Sequence, residues 1–399
     1  MRHCGASRQV HDHRLHRCGS ACGRPPMGGA ALVRILQVVS DNNRRGAQVF
    51  AGDLGMALVA RGHGLHTVAL EPGSAMVARS GAHLDNPVLA PSWPRPSGLR
   101  RLRTAMKPAD VVIAHGSSTL PACALAGLGV GVPFVYRQIS DPEVWTSTHL
   151  RRARTRAFLG RAARVVALSE GNRAQLCRHL GVEPTVIRVI PTGVPAAAFP
   201  ATAPEGRPAA RERLGLPERP TALFVGSLSW EKGPEVAVEA IGQVVGMTLV
   251  LVGDGPNREA LKALADQVAP SRVVFRPPVD TIHDYLAASD VLLLTSRTEA
   301  VPAVVIEAGM AAVPVVAARV GAVPELLQDG EAGVLVESGG VNGFAVGAAA
   351  FVEDRNRADD LGRRAHDWCL ERFDIAPVAA AWEVALEELV AQGSSSGGR

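Results

Sequence analysis

Two glutamates, Glu299 and Glu307, stand eight positions apart in the nearly unbroken apolar run TSRTEAVPAVVIEAGMAAVPVV, residues 295–316. A carboxylate in such surroundings is costly unless something compensates it. The compensating group can be an internal arginine, a helix N-terminus, or a ligand carrying hydroxyls or positive charge. Pro302 suits the first position of a helix, where its missing N–H is not needed. Glu307 then lies inside that helix, whose N-terminus offers N–H groups and partial positive charge to a phosphate or sugar hydroxyl. The plain alternative is a structural pair of Glu307 with Arg297 or Arg319.

A second stretch, VGSLSWEKG (225–233), joins a strand to a helix. Gly226 lets backbone approach a ligand, and Lys232 offers a compact mobile cation suited to phosphate. Lys107, Lys232 and Lys262 are the only lysines in an arginine-dominated chain. An ordinary solvated helix start would read the same way. LVGDGPN (251–257) is a strand running into a glycine turn, a weak signal on its own. His115 closes the apolar segment ADVVIAH just before GSS, which puts it at the crevice where a ligand would lie. A hydrogen-bonded structural histidine is the competing reading.

These residues need strands and helices to hold them. Apolar runs at 34–40, 65–70, 109–115, 163–169 and 186–191, with the buried PFVY segment, alternate with helical stretches such as 46–62. The pattern restarts at 221–227, 247–253, 272–277, 290–296 and 313–318. Strands apolar throughout belong to parallel sheets covered on both faces. The fold class is therefore α/β, two tandem Rossmann-like doubly wound domains with a cleft between them. The expected boundaries are a disordered extension at 1–32, a first domain at 33–197 and a linker at 198–219. A second domain at 220–375, a C-terminal helix at 376–392 and a disordered tail at 393–399 complete the chain. Ligands of such sheets bind beyond the carboxyl ends of the strands, which is where the stretches above fall.

Five arginines against Asp12 in residues 1–26 carry the whole formal charge of +4, leaving the body neutral and without a nucleic-acid footprint. Cys4, Cys18 and Cys22 with His3, His11, His13 and His16 match no regular zinc spacing, and translation starting at Met27 would remove them. The extension has no secretory apolar core. Cys123, Cys177 and Cys369 read as reduced thiols, so a cytoplasmic protein is expected. The uncharged stretch 114–136 is broken by Pro121, Pro133 and several glycines and is not expected to span a membrane. WPRPSGLRRLRTAMK (93–107) with Arg151, Arg152, Arg154 and Arg156 gives a basic surface for peripheral contact with anionic lipid at the inner face of a membrane. A solvated helix face is the alternative.

The ordered set VGSLSWEKG, LVGDGP, VVFRPPV, TSRTEAVPAVVIEAGMAAVPVVA and GAVPELLQDGEAGVLV resembles the donor-binding half of the retaining, nucleotide-sugar-dependent glycosyltransferases of family 4 (the GT-B fold). NNRRGAQVF, ALSEGNRAQL and RVIPTGV agree in the first half, so the resemblance covers about residues 33–390. It implies transfer of a sugar from a nucleotide-diphosphate sugar to a hydroxyl acceptor with retention of configuration. Glu307 would accept from the ribose hydroxyls. Glu299 and the backbone of Ala300, Val301, Pro302 and Ala303 would hold the transferred sugar and distal phosphate. Lys232 would neutralise the diphosphate, with Gly226 and Ser227 beside it. Backbone from Arg276 to Val279 would touch the base, and Gly46 would give room near the first strand. Both glutamates would then be compensated by sugar hydroxyls.

The chain departs from the family at two positions: Ser227 stands where many relatives have arginine, and Gln138 where many have histidine. A general base at Gln138 is accordingly in question, although same-face transfer lets the departing phosphate take the acceptor proton. No D-x-D pair occurs, so no metal or other cofactor is expected. Acceptor choice falls to the variable loops near 71–107. A dinucleotide-dependent oxidoreductase could use Glu71 on a ribose, but no G-x-G-x-x-G follows the first strand. A nucleotide-sugar isomerase and a non-catalytic nucleotide-sugar binder are the nearer alternatives.

Overall fold

The computed structural model describes residues 32–73, 84, 86–89 and 95–396. The N-terminal extension up to residue 31 with its Cys–His set, part of the 71–107 stretch, and residues 397–399 lie outside these. Twelve strands form two parallel six-stranded sheets. The first contains β1 (Arg34–Val39), β2 (Gly64–Ala69), β3 (Val111–His115), β4 (Phe134–Arg137), β5 (Arg164–Ala167) and β6 (Ile187–Val189) in the order β2-β1-β3-β4-β5-β6. The second contains β7 (Thr221–Val225), β8 (Thr248–Val252), β9 (Val273–Arg276), β10 (Val291–Leu294), β11 (Val315–Ala318) and β12 (Val334–Val336) in the order β12-β11-β10-β7-β8-β9. Strand order reverses between β1 and β3 and between β7 and β10, the switch points where such sheets open a crevice. β12 was not among the expected strands. It is a three-residue edge strand, too short to show a period.

Eight helices matter below: α1 (Gly46–Ala60), α2 (Pro96–Met106), α3 (His149–Leu159), α4 (Arg207–Arg213), α5 (Pro234–Gln243), α6 (Ala303–Met310), α7 (Arg355–Phe373) and α8 (Ile375–Ser396). Alternation along each strand splits the side chains between two faces. Ile35, Val111, Ile113, Val135 and Val166 pack on Phe50, Leu54 and Leu58 of α1 and on Val378, Trp382 and Leu386 of α8. Leu36, Val38, Val112, Ala114 and Tyr136 pack the opposite face, with Leu102 and Met106 of α2. α8, last in sequence, thus covers the first sheet. It arrives through a crossing in which Val194 N–H donates to Phe373 O (2.8 Å) and Ile375 N–H to Val194 O (3.0 Å).

The segment read as a linker, 198–219, contains α4, which is packed rather than extended. Ala210 is buried in the second core, and Arg207 and Arg211 are buried against Asp290, at 3.5 and 2.5 Å. Asp290, 2 % exposed, also accepts from Thr221 N–H (2.7 Å) and pairs with Arg355. Its donors hold the carboxylate on several sides, which is what a buried charge requires. Arg211 thus reaches an aspartate 79 positions away in sequence. α8 likewise runs through Ser396, into the stretch read as a disordered tail.

Candidate active site

The carboxyl-end rims of the two sheets face each other. Arg44, after β1, donates from Nη2 to Asp280 O, after β9, at 2.9 Å. At the second switch point, the loops after β7 and β10 bring Lys232 and Glu299 together, with Nζ 2.7 Å from Oε1. Ser296 Oγ donates to the same oxygen at 2.7 Å, so Oε2 is left to meet another donor. This corrects one expectation: Glu299 is compensated inside the protein, by a cation and a hydroxyl, not by a ligand alone.

Two glycines make that meeting possible. A Cβ on Gly233 (φ +60°) would lie 2.5 Å from Thr295 O, and one on Gly321 (φ +54°) would lie 2.0 Å from Glu299 O. Both left-handed turns press one loop onto another where a side chain would not fit. Thr295 closes the seam, its hydroxyl donating to Gly233 O at 2.8 Å.

Glu307 lies half-buried on α6. Pro302 is the extended residue just before the helix, φ −74° and ψ 108°, and not its first turn residue as expected. No side chain caps the N-terminus of α6. The structural pairings proposed for Glu307 are taken elsewhere: Arg297 binds Glu235 at 2.6 Å, and Arg319 approaches Asp329 at 3.9 Å. Burial, reinforced by the neighbouring negative charge of Asp53 and opposed by Arg44, pushes the Glu307 carboxyl up to about 7. Asp53, on α1 of the first half, rises to about 6 by burial, again opposed by Arg44. Two carboxyls and one guanidinium, drawn from both halves, therefore share one electrostatic environment across the cleft. Gly46 opens α1 with nothing within 4 Å of where its Cβ would stand, and no side chain caps that helix either.

The remaining expected residues are more scattered. Gly226 (φ +157°) abuts Gly253, whose Cβ would strike Gly226 O at 1.9 Å, and Ser227 is exposed beside it. Arg276 turns its side chain away, donating to Leu214 O at 2.9 Å, while its own carbonyl accepts from Gly253 N–H. Ala300 O accepts from Ala322 N–H, and Val301 and Ala303 are half-buried around Pro302.

Neither His115 nor Gln138 hydrogen-bonds the Lys232–Glu299 pair. His115 is 2 % exposed, pairs through Nε2 with Gln37 Oε1 at 2.7 Å and meets the Phe50 ring edge-on. Burial and the nearby Arg137 guanidinium hold it well below its ordinary value, so the ring is neutral. The ring stands at the carboxyl end of β3 with Nδ1 unpartnered, and its catalytic role is a proposal. Gln138 is 1 % exposed, and its amide donates to Ser140 O. Its Oε1 has no partner, and an amide carries no basic group, so its part in transfer is a proposal of contact and not of proton removal.

Sequence reasoning missed Ser296, Thr295, Gly321, Arg44 and Asp53. Asp53 had a signal, being the lone acid in the apolar stretch GAQVFAGDLGMALVARG. Among the described residues, His63, Glu383 and Glu387 form a group with converging metal-ligand atoms. Val33 N–H donates to His63 Nδ1 (3.3 Å), which leaves Nε2 to carry the proton toward Glu383 at 2.9 Å. That tautomer suits a hydrogen-bonded staple of α8 and not a ligand nitrogen.

Two doubly wound sheets, facing rims and a cation–carboxylate pair at the second switch point define a GT-B architecture. Structural comparison agrees. The Anabaena HepE protein, solved with UDP and glucose, superimposes with a TM-score of 0.76 over 91 % of this chain and 100 % of that one, at 21 % identity. WaaG, a glycosyltransferase of lipopolysaccharide biosynthesis, gives 0.69 over 88 % and 99 %, at 18 % identity. Residues 44–198 match the model of Glycosyltransferase Family 4, and residues 219–354 that of Glycosyl transferases group 1. The chain belongs to this glycosyltransferase family. A D-inositol 3-phosphate glycosyltransferase of Streptomyces bingchenggensis is 35 % identical over 45 % of this chain, and the match spans only 43 % of that relative's length. A GDP-mannose-dependent alpha-(1-6)-phosphatidylinositol monomannoside mannosyltransferase of Mycolicibacterium smegmatis is 26 % identical over 74 % of this chain and 81 % of its own.

Proposed function

We propose that the protein transfers a sugar from a nucleotide-diphosphate sugar to a hydroxyl acceptor, with retention of configuration. The observation that carries this reading is the Lys232–Glu299 pair at the β7/β10 switch point, above the uncapped N-terminus of α6. In this reading Lys232 turns from Glu299 toward the diphosphate as negative charge builds on the leaving group, a contact stronger in the transition state than in the ground state. Glu299, released, accepts from the sugar's hydroxyls. Glu307 accepts from the ribose, and backbone after β9 meets the base. The N–H groups opening α1 at Gly46 and α6 at Ala303 face the phosphates. Cations and helix termini supply the charge, so the reading invokes no metal. The departing phosphate takes the acceptor proton on the same face, a route that needs no separate base.

The relatives' names supply candidate donors, UDP-glucose and GDP-mannose, and candidate acceptors in inositol phosphates and inositol glycolipids. Incubating the protein with each nucleotide sugar and scoring nucleoside diphosphate, with and without these acceptors, tests the reading. Release from none of them would sink it. Tighter binding of nicotinamide dinucleotides than of nucleotide sugars would favour the oxidoreductase alternative. Peripheral membrane contact forms part of the proposal. Arg100, Arg101 and Lys107 on and after α2 and Arg151 and Arg154 on α3 are exposed, and no described helix is long and apolar enough to cross a membrane. Equal co-sedimentation with neutral and anionic vesicles would remove that part.

A further inference from the structure

Trp230 lies in the loop after β7, two residues before Lys232, and its side chain is 65 % exposed. Among the described residues it is the only aromatic with a large exposed surface. Its exposure is not that of a loose loop. The Arg297 guanidinium lies over one face of the indole, 4.8 Å from the ring centroid. Arg297 is itself fixed, donating to Trp230 O at 2.7 Å, pairing with Glu235 of α5 at 2.6 Å, and donating from its backbone to Glu231 O at 2.8 Å. One face of the ring is therefore backed by a locked arginine, and the other is left to solvent.

The neighbours narrow what that free face could take. Ser229 and Glu231 flank it, and among the described residues no other large exposed hydrophobic lies in this loop or in the loop after β10, unlike a surface that docks a protein or lipid. Arg297 and Glu299 come from the loop after β10, on one side of β7. β8 and β9, with the Arg276–Val279 backbone proposed for the base, lie on the other side. The indole thus stands on the side of the switch point where the reacting sugar would lie. A flat, preoriented aromatic face at such a place suits the C–H face of a pyranose, whose slightly positive hydrogens meet the negative face of the ring.

We propose that Trp230 is the stacking platform of an acceptor subsite, and that the acceptor presents a pyranose ring to it. This rests on the glycosyltransferase reading above and adds the class of acceptor. The test uses methyl α-D-mannopyranoside and methyl α-D-glucopyranoside as probe acceptors, sorbitol as an acyclic control, and the parent protein beside Trp230→Ala and Trp230→Phe. The parent should release nucleoside diphosphate faster with a pyranoside and not with sorbitol. Trp230→Ala should raise the KM for the pyranoside about tenfold, equivalent to ~1.4 kcal/mol. Trp230→Phe should restore most of it, and the calorimetric affinity for nucleoside diphosphate should move less than about twofold in both variants. An unchanged pyranoside KM in Trp230→Ala, equal stimulation by sorbitol, or no stimulation of the parent overturns the subsite. A fall in nucleotide affinity alone would reassign the indole to the donor. If the parent consumes no nucleotide sugar, the failure belongs to the functional reading itself.

Discussion

In the second half of the molecule two buried carboxylates are paired, Asp290 among Arg207, Arg211 and Arg355 and Glu299 with Lys232 and Ser296, while Glu307 is raised by burial. In the first half the largest buried charge, Arg137, is 2 % exposed, lies over the Phe50 ring at 3.8 Å and donates to Thr192 Oγ1, with Nε and Nη1 unpartnered. Burial alone pulls its guanidinium down to about 9. In the same half, Asn42 Oδ1, Gln48 Oε1, His115 Nδ1, Gln138 Oε1 and Ser140 Oγ are also buried without partners. The contrast separates charges assembled beforehand, at the β7/β10 switch point and under α4, from first-half polar atoms that have no partner. Preassembled dipoles and charges need no reorganisation when a reaction builds charge beside them. In the reading proposed above, that fits a switch point that stabilises a leaving group.

The comparison breaks most visibly at Asp290. Asp290→Ala leaves Arg211 buried without its carboxylate and Arg207 with Asp359 alone, at 3.6 Å, and should cost about 3–5 kcal/mol of unfolding free energy in urea titration. A loss below about 1 kcal/mol would mean the pairing is not what holds α4 to the second sheet.

Lys232→Ala comes next. If the pair serves the leaving group, turnover should fall about a hundred- to a thousandfold, ~2.7–4 kcal/mol, with a smaller change in nucleotide-sugar affinity. Glu299→Ala should impair transfer while sparing affinity for the nucleoside diphosphate. Wild-type turnover in Lys232→Ala would remove the cation from the mechanism.

Glu307 gives a pH test of the shared cleft. Its carboxyl is raised to about 7, so it is mostly protonated at pH 6 and ionised at pH 8. If the ionised form accepts from the ribose, affinity for a nucleotide sugar should strengthen about tenfold over that interval by calorimetry. Asp53→Asn should move the midpoint downward by removing a neighbouring negative charge. The sign for stability is the reverse. The folded state holds these protons longer than the unfolded chain, so the ligand-free protein should lose stability as pH rises from about 4 to about 7. An affinity flat in pH would show that Glu307 does not bear on the ribose.

The smallest effect is expected at Arg137. Arg137→Met removes a buried cation that has no carboxylate partner, so stability should stay within about 1 kcal/mol of the parent. A large loss would show that the first half depends on that charge as the second depends on Asp290.

Much of this was legible in sequence because it is periodic or local. Apolar runs gave eleven of the twelve strands, and β12 escaped only because three residues carry no period. Glu299, Glu307 and Lys232 were legible because a charge in an apolar or lysine-poor setting is conspicuous. The helix α4 was hidden by its composition, since Pro, Ala and Arg mimic a linker until Asp290 is seen beneath them. His115 read as a crevice residue because strand ends point to the crevice, yet the direction of its side chain depends on Gln37 and Phe50.

The sequence by itself determined the two doubly wound halves, the family, and which charged residues are out of place. These follow from the strand and helix periods and from the cost of a lone charge, both of which operate over a few residues. Only the tertiary structure decided which charge meets which: Lys232 with Glu299 across 67 positions, Asp53 with Glu307 across the cleft, Trp230 backed by Arg297. Those pairings arise where loops from non-adjacent strands converge at a switch point, and strand order is set by packing of whole faces, which no local stretch encodes.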